Sequence, residues 1–165
     1  MKKLHLYLFI GIFIFLTGCV PATPPLHEAA YKGDVTKMQS LINNGAAIDE
    51  WYFGTPLIWA AGAGRLQSVK ILVEHGADVN KRANKMGWTP LGNAVLANKM
   101  DVANYLVEKG ADIDNALQGL NDQMEYCKQN GVPSCVENAK AAILRLQNMQ
   151  GTPMTPKNTE NEPLQ

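Results

Sequence analysis

An all-α solenoid of stacked helical hairpins is the fold class that the sequence predicts, on three observations. Residues 24–120 repeat one pattern three times, at offsets of 31 and then 34 residues. Each repeat carries two short segments with apolar residues at helical spacing, joined by a residue type that tolerates a left-handed turn. One such pair has nothing of its own against which to bury its apolar stripe, so neighbouring pairs must stack.

The first residues stand outside that pattern. Lys2 and Lys3 form a short basic region, and residues 6–16 are apolar apart from Gly11 and the Tyr7 hydroxyl. The run falls short of the roughly 20 residues that a spanning helix needs. Its charged, apolar and small-residue order is that of a secretory signal. The end of the run, Leu16-Thr17-Gly18-Cys19, resembles a bacterial lipobox. The resemblance implies cleavage before Cys19, with diacylglycerol on the sulfur and an acyl chain on the new amine. Residues 1–18 would then be a lipoprotein signal peptide and residues 19–23 a lipidated cysteine with a short linker. A simple N-terminal anchor with an incidental cysteine is the alternative. Each buried CH₂ contributes about 0.8 kcal/mol and a single chain holds only weakly, so several chains on one residue make the durable anchor. Val20 follows the cysteine where many inner-membrane lipoproteins carry Asp. The same resemblance therefore implies a bacterial cell-envelope protein, lipid-anchored in the outer membrane and facing the periplasm.

Removing residues 1–18 leaves 147 of 165 residues, enough for one domain with a core. The 15 basic and 15 acidic residues of the full chain become 13 against 15 when Lys2 and Lys3 are lost. A net charge that close to zero leaves no electrostatic footprint for nucleic acid. With Cys19 acylated, Cys127 and Cys135 remain. An even pair in an exported chain reads as a disulfide, and Gly131 and Pro133 let the intervening segment turn. Metal binding is the rival reading, but two thiols with no neighbouring histidine do not fill a four-ligand zinc shell.

The repeats begin at Pro24, Thr55 and Thr89 and divide the chain into residues 24–54, 55–88 and 89–120. Pro25, Pro56 and Pro90 align, as do Gly33, Gly64 and Asn98, and so do the Gly-Ala pairs at 45–46, 76–77 and 110–111. The threonines are placed to cap a first helix, with proline at its first position, where a missing N–H costs nothing. A second helix follows, with its stripe at Val35, Met38, Leu41 and Ile42 in the first repeat. The counterparts are Leu66, Val69, Leu72 and Val73, then Met100, Ala103, Leu106 and Val107. The offsets vary only in the connecting fingers. Glu50-Trp51-Tyr52-Phe53-Gly54 lies in a repeat two residues shorter than a period of about 33, and residues 81–88 lie in one that is one residue longer. This period, with its T-P-L-x-x-A and G-A-D-V-N marks, resembles the ankyrin repeat.

After residue 120 the pattern weakens. Residues 117–130 and 136–150 suggest a helical hairpin, with residues 121–150 forming a cap stapled by the disulfide. A solenoid needs an end unit with a polar outer face. Gln118, Asn121, Asp122, Lys128, Glu137, Lys140 and Arg145 are candidates for it, with Ala141, Ile143, Leu144 and Leu146 among the inner residues. Residues 151–165 hold three prolines and little apolar content and are expected to form a disordered tail.

The resemblance implies protein binding through finger tips and through the groove lined by first helices. Carried onto this chain, the finger positions are Trp51, Tyr52, Phe53, Lys85, Met86 and Trp88. The positions after the first helix-one Ala-Ala pair are Tyr31 and Lys32, with Gly62, Ala63, Leu96 and Ala97 as counterparts. Three consecutive aromatics in a loop suit an interface hot spot. The alternative is that one or two of them fold back over the preceding repeat. Trp59 sits where the family usually has a core leucine, so packing is its expected role. His27 occupies the family's histidine position, which ties neighbouring turns. Ile58 and Gly92 replace it in the other repeats, leaving that network incomplete. His75 is expected at a helix end, complementing the dipole.

No catalytic constellation, phosphate-cradling loop or metal-spaced cluster emerges, so no enzyme, cofactor or small-molecule substrate is expected. The resemblance implies a membrane-tethered module that binds, and masks or inhibits, another protein in the envelope. One version is an immunity protein against a toxic, lipase-like secreted effector. The alternative is a scaffold or assembly factor for an envelope complex.

Overall fold

The computed structural model describes residues 23–83 and 88–151. Cys19, Lys85, Met86, the signal segment and residues 152–165 lie outside the described residues. Among the described residues there are eight helices and a single isolated β-bridge, between Ala83 and Trp88. None of these helices is long and apolar enough to cross a membrane.

The first helices of the three repeats are α1 (Pro25–Lys32), α3 (Pro56–Gly62) and α5 (Pro90–Leu96). Each has proline in its first turn. Thr55 Oγ1 accepts from the Ile58 N–H at 3.3 Å, and Thr89 Oγ1 from the Gly92 N–H at 3.0 Å, which satisfies one orphan donor at each start. In α1 the cap position holds Pro24, which offers no hydroxyl. The helices stop where the chain turns left-handed, at Gly33 (φ 81°), Gly64 (φ 69°) and Asn98 (φ 56°). Gly64 suits its turn on two counts. Its φ suits glycine, and a β-carbon there would sit 2.6 Å from the Lys99 side chain of the next repeat.

The second helices, α2 (Val35–Asn43), α4 (Leu66–Glu74) and α6 (Met100–Glu108), return antiparallel. Each packs on its own first helix; α1, α3 and α5 pack in one row, and α2, α4 and α6 in another. The core runs through the stack: Leu26, Leu57 and Leu91 from the first row, Met38, Val69, Leu72, Ala103 and Leu106 from the second. Leu41, the counterpart of Leu72, is only half-buried, because no described repeat precedes it.

A hydrogen-bond ladder fixes the register at the finger bases. Asp49 accepts from the Asp78 N–H at 3.1 Å, and Asn80 Oδ1 from the Asp112 N–H at 2.8 Å. Asp49 and Asn80 occupy equivalent repeat positions. Each holds the backbone of the following repeat.

The end unit differs from expectation in its boundaries. Its first helix, α7 (Ile113–Gln129), starts four residues before residue 117 and runs straight across residue 120. Asp112 caps it by accepting from the Asn115 N–H, so the third repeat passes into α7 with no finger between them. The second helix, α8 (Pro133–Gly151), starts before residue 136, contains Cys135 and ends on Gly151. Cys127 and Cys135 form a disulfide across the turn.

The inner face of α8 is Ala139, Ala142 and Leu146, with Ile143 packed beside them. Leu144, expected inside, is 58% exposed, since two residues along a helix rotate it about 200° from Leu146. Of the expected polar face, Arg145 is half-buried, whereas Gln118 and Asp122 are partly exposed and engaged by Arg82 at the second finger's base.

Truncating Leu72 to Ala removes a fully buried side chain from the centre of the stack. The unfolding free energy is expected to fall by about 2–5 kcal/mol, read as a lower urea midpoint. An unchanged midpoint would contradict the stacked core.

Candidate functional site: an aromatic groove

The five-residue finger at 50–54 builds one wall of a groove. His27 lies fully buried beneath it, and its Nε2–H donates to the Gly54 carbonyl at 3.1 Å. A carbonyl only accepts, so neutral His27 carries its proton on Nε2. Its Nδ1 is buried without a hydrogen-bond partner. Burial pushes the His27 pKa below its ordinary value, against smaller opposing effects from the Gly54 carbonyl and Glu50.

The three finger aromatics divide their roles. Tyr52 turns inward, with its ring 5.9 Å from that of His27 and 6.0 Å from that of Trp59. Trp51 and Phe53 stay in solvent, 57% and 66% exposed. Phe53 has φ 51°, a left-handed backbone that bulky residues avoid. Gly54 follows at φ 130°, and the Tyr52 N–H donates back to its carbonyl at 2.9 Å. The turn is closed so tightly that Phe53 is thrust outward over the groove.

The remaining walls come from the row of first helices. Tyr31 and Trp59 meet edge to face at 6.1 Å between ring centres. With Phe53, Ile58, Trp88 and Asn93 they line an open groove of about 360 Å³, floored by Gly62 and Ala63. A β-carbon on Gly62 would lie 2.7 Å from Asn93 Nδ2, which donates to the Ile58 carbonyl at 3.1 Å. The missing side chain is what lets Asn93 tie α5 to α3. Trp88 enters from the Ala83–Trp88 bridge, where the Ala83 N–H donates to the Trp88 carbonyl at 2.7 Å.

Of the sequence candidates, the groove gathers Tyr31, Phe53 and Trp88, while Trp51 stands beside it and Tyr52 beneath. Lys32 is elsewhere: it pairs with Glu28 and borders a separate depression with Arg65. Leu96 faces a small cavity under α7, and Ala97 is exposed. The groove also contains residues that the sequence did not nominate. Trp59 is half-buried rather than a core residue, and Asn93 bonds across the repeats where the family histidine is missing. The signal for Trp59 was its size: an indole placed where a leucine fits must project past the core. His75 caps the end of α4, its Nδ1 2.8 Å from the Ile71 carbonyl. No three His, Cys, Asp or Glu side chains among the described residues are placed to hold a metal ion.

Stacked hairpins and left-handed turns recur three times in register, joined by two finger-base rungs, and a family model for ankyrin repeats, in 3 copies, matches residues 26–116. The chain belongs to the ankyrin-repeat family. Among curated proteins, it is similar to alpha-latrocrustotoxin-Lt1a of Latrodectus tredecimguttatus, 42% identical over 92 residues, covering 54% of this chain and 6% of the toxin. It is also similar to ankyrin repeat and SOCS box protein 5 of Oryctolagus cuniculus, 37% identical over 101 residues, covering 60% of this chain and 30% of that one. Protein phosphatase 1 regulatory subunit 27 of Mus musculus is 46% identical over 54 residues, covering 33% of this chain and 34% of its own length. The chain thus spans at most about a third of the length of these relatives. What they share with it is the ankyrin scaffold, a module for protein–protein interaction.

His27 predicts a pH dependence with a definite sign. Its folded pKa lies below the ordinary 6.5, so in the window under pH 6.5 the unfolded chain binds more protons than the folded one. The His27 contribution is complete above pH 6.5 and is lost as the pH falls towards the folded pKa. Urea titrations should show falling stability below pH 6.5. His27→Gln, which keeps a donor for Gly54, should flatten that slope. A slope unchanged by the substitution would remove His27 as its source.

Proposed function

We propose that the chain is a tethered inhibitor: it docks another envelope protein in the Tyr31–Phe53–Trp59–Trp88 groove and occludes that protein's working surface. The observation that carries this reading is Phe53, a two-thirds-exposed aromatic on a left-handed backbone. Holding an aromatic there costs of order 1–2 kcal/mol, and burying its ring against a partner would regain about as much or more. The flat walls around it bind by contact area, and binding of that kind requires no chemistry of the inhibitor.

The tethered part of the reading rests on Leu16-Thr17-Gly18-Cys19, with support from the closed Cys127–Cys135 disulfide, which suits an oxidising compartment. An inhibitor anchored by lipid on Cys19 at the outer membrane is concentrated where a lipid-attacking enzyme must arrive. This favours the immunity version, in which the partner is a toxic, lipase-like effector.

Affinity capture from cell envelopes tests the docking surface. Phe53→Gly suits the left-handed backbone and should leave the melting temperature unchanged or raised. Combined with Trp88→Ala, it should lower partner recovery at least about tenfold, the loss expected from one hot-spot residue. Equal recovery by both chains would move the interface elsewhere. Co-expression with the captured partner separates the versions: rescue from its toxicity supports immunity, and a stable complex without toxicity supports the scaffold reading. Mass spectrometry of the mature N-terminus should find Cys19 acylated; an unmodified thiol would remove the tether.

A further inference from the structure

We propose that one buried water, held between Trp88 Nε1 and Gln123 Oε1, fixes the inner edge of Trp88, and that Gln123 is thereby a positioning residue for the groove. The proposal rests on the groove being the docking surface and adds what sets one of its walls.

Helix α7 packs on α5 with Ala116, Gly119 and Leu120 buried, and Cys127 buried further along. Gln123 falls on the same stripe, three residues after Leu120 and four before Cys127, so a polar side chain stands where an apolar one fits. Its Oε1 is buried and has no hydrogen-bond partner in the protein. Trp88 Nε1 is buried and unpartnered in the same way. An indole N–H only donates and an amide oxygen only accepts, so the two are complementary. They do not bond to each other directly.

Both residues line one small cavity between α5 and α7. It measures about 10 Å³ to a water-sized sphere, and a single buried water needs roughly 10–15 Å³. Thr89 lines it too: its Oγ1 accepts from the Gly92 N–H at 3.0 Å, and its hydroxyl proton is a further donor. A water there accepts from Trp88 and Thr89 and donates to Gln123. Three bonds are the usual complement of a buried water. The room comes from glycine on either side. Gly92 stands where the first repeat has His27, and Gly119 lines the wall on α7. A β-carbon on Gly92 would lie 3.1 Å from Thr89 Oγ1 and 3.6 Å from the Ala116 carbonyl.

Trp88 lines the groove as well as the cavity. Its N–H edge belongs to one and its ring to the other, so whatever holds the N–H also sets the groove wall. A bridging water holds two polar groups nearly as well as a direct hydrogen bond. It ties the indole to α7, which the Cys127–Cys135 disulfide in turn fastens to α8. A ring held beforehand spares a partner the entropy of ordering it on docking.

The test uses the full chain with isotope-labelled indole nitrogens. The Trp88 indole N–H should show a nuclear Overhauser cross-peak to water, with the sign of a long-lived bound molecule. Gln123→Glu keeps an acceptor and should retain that peak; Gln123→Met keeps the length, removes the acceptor and should lose it. In capture from envelopes, Gln123→Met should lower partner recovery roughly threefold, the loss expected when one more side chain must be ordered on binding. Gln123→Glu should recover partner like the parent chain. A parent chain without the cross-peak overturns the water site whether or not the variants fold, and so does a peak that survives Gln123→Met. Equal recovery by Gln123→Met and the parent, where Phe53→Gly with Trp88→Ala is impaired, overturns the positioning role. Normal recovery by Phe53→Gly with Trp88→Ala is failure of the docking surface instead, and the cross-peak, read with no partner present, still decides the water site.

Discussion

Everything in this molecule depends on a mismatch between helix pairs and water: one pair exposes an apolar stripe that it cannot cover itself. Leu57 and Leu72 are fully buried because repeats lie on both sides of theirs. Leu41, with the same position in its own repeat, is left half-exposed on the end that no described repeat covers. At the other end α7 and α8 close the stack with Ala116, Leu120, Ala142 and Leu146. Ala116 and Ala142 let the cap helices approach α5 closely, while the buried Leu120 and Leu146 fill the space beside them. The core, being shared between repeats, holds the first-helix row rigid, and that row is the floor of the groove.

The fold was legible because its rules are local and repeated. Thr-Pro at a helix start, a left-handed residue at its end and a stripe at helical spacing each follow from backbone chemistry visible in a few residues. Three copies in register made coincidence untenable. The end unit was less legible. The Gly-Ala-Asp-Ile-Asp of the third repeat looks like the entrance to another finger, but Asp112 caps a helix there instead of starting a loop. Residue type does not distinguish a carboxylate capping its own helix from one bracing the next repeat, as Asp49 does for Asp78. The misplacement of Leu144 has a similar origin. In a helix rich in alanine the stripe is defined by Ala139 and Ala142, and alanine is a weak signal of burial.

The groove was half legible. Tyr31, Phe53 and Trp88 follow from their repeat positions, and an aromatic run in a loop attracts notice. Trp59 and Asn93 were obscured because their roles are departures from the pattern. Each fills a place left by something the repeat lacks: Trp59 projects where a leucine would end, and Asn93 makes the cross-repeat bond where Gly92 offers no side chain. Tyr52 illustrates the limit of composition. Next to two exposed aromatics, it lies beneath the finger because His27 gives it a buried ring to meet.

The short finger explains why a groove of this kind exists at this place. A full-length finger would project as a hairpin, pairing its backbone along two strands, as the Ala83–Trp88 bridge begins to do in the next repeat. With two residues fewer, the 50–54 segment has too little chain for paired strands. Its backbone groups must find other partners, and the Gly54 carbonyl finds His27. That bond draws the finger down onto α1, seats Tyr52 on the His27 ring and leaves Phe53 at the turn's apex, left-handed and facing out. A deletion in a loop has thus exchanged a flexible tip for a fixed aromatic ledge at the mouth of the groove. Its position is set by a buried neutral imidazole rather than by strand pairing, so the ledge is held from below, by the core, and its outer face is left for another surface to cover.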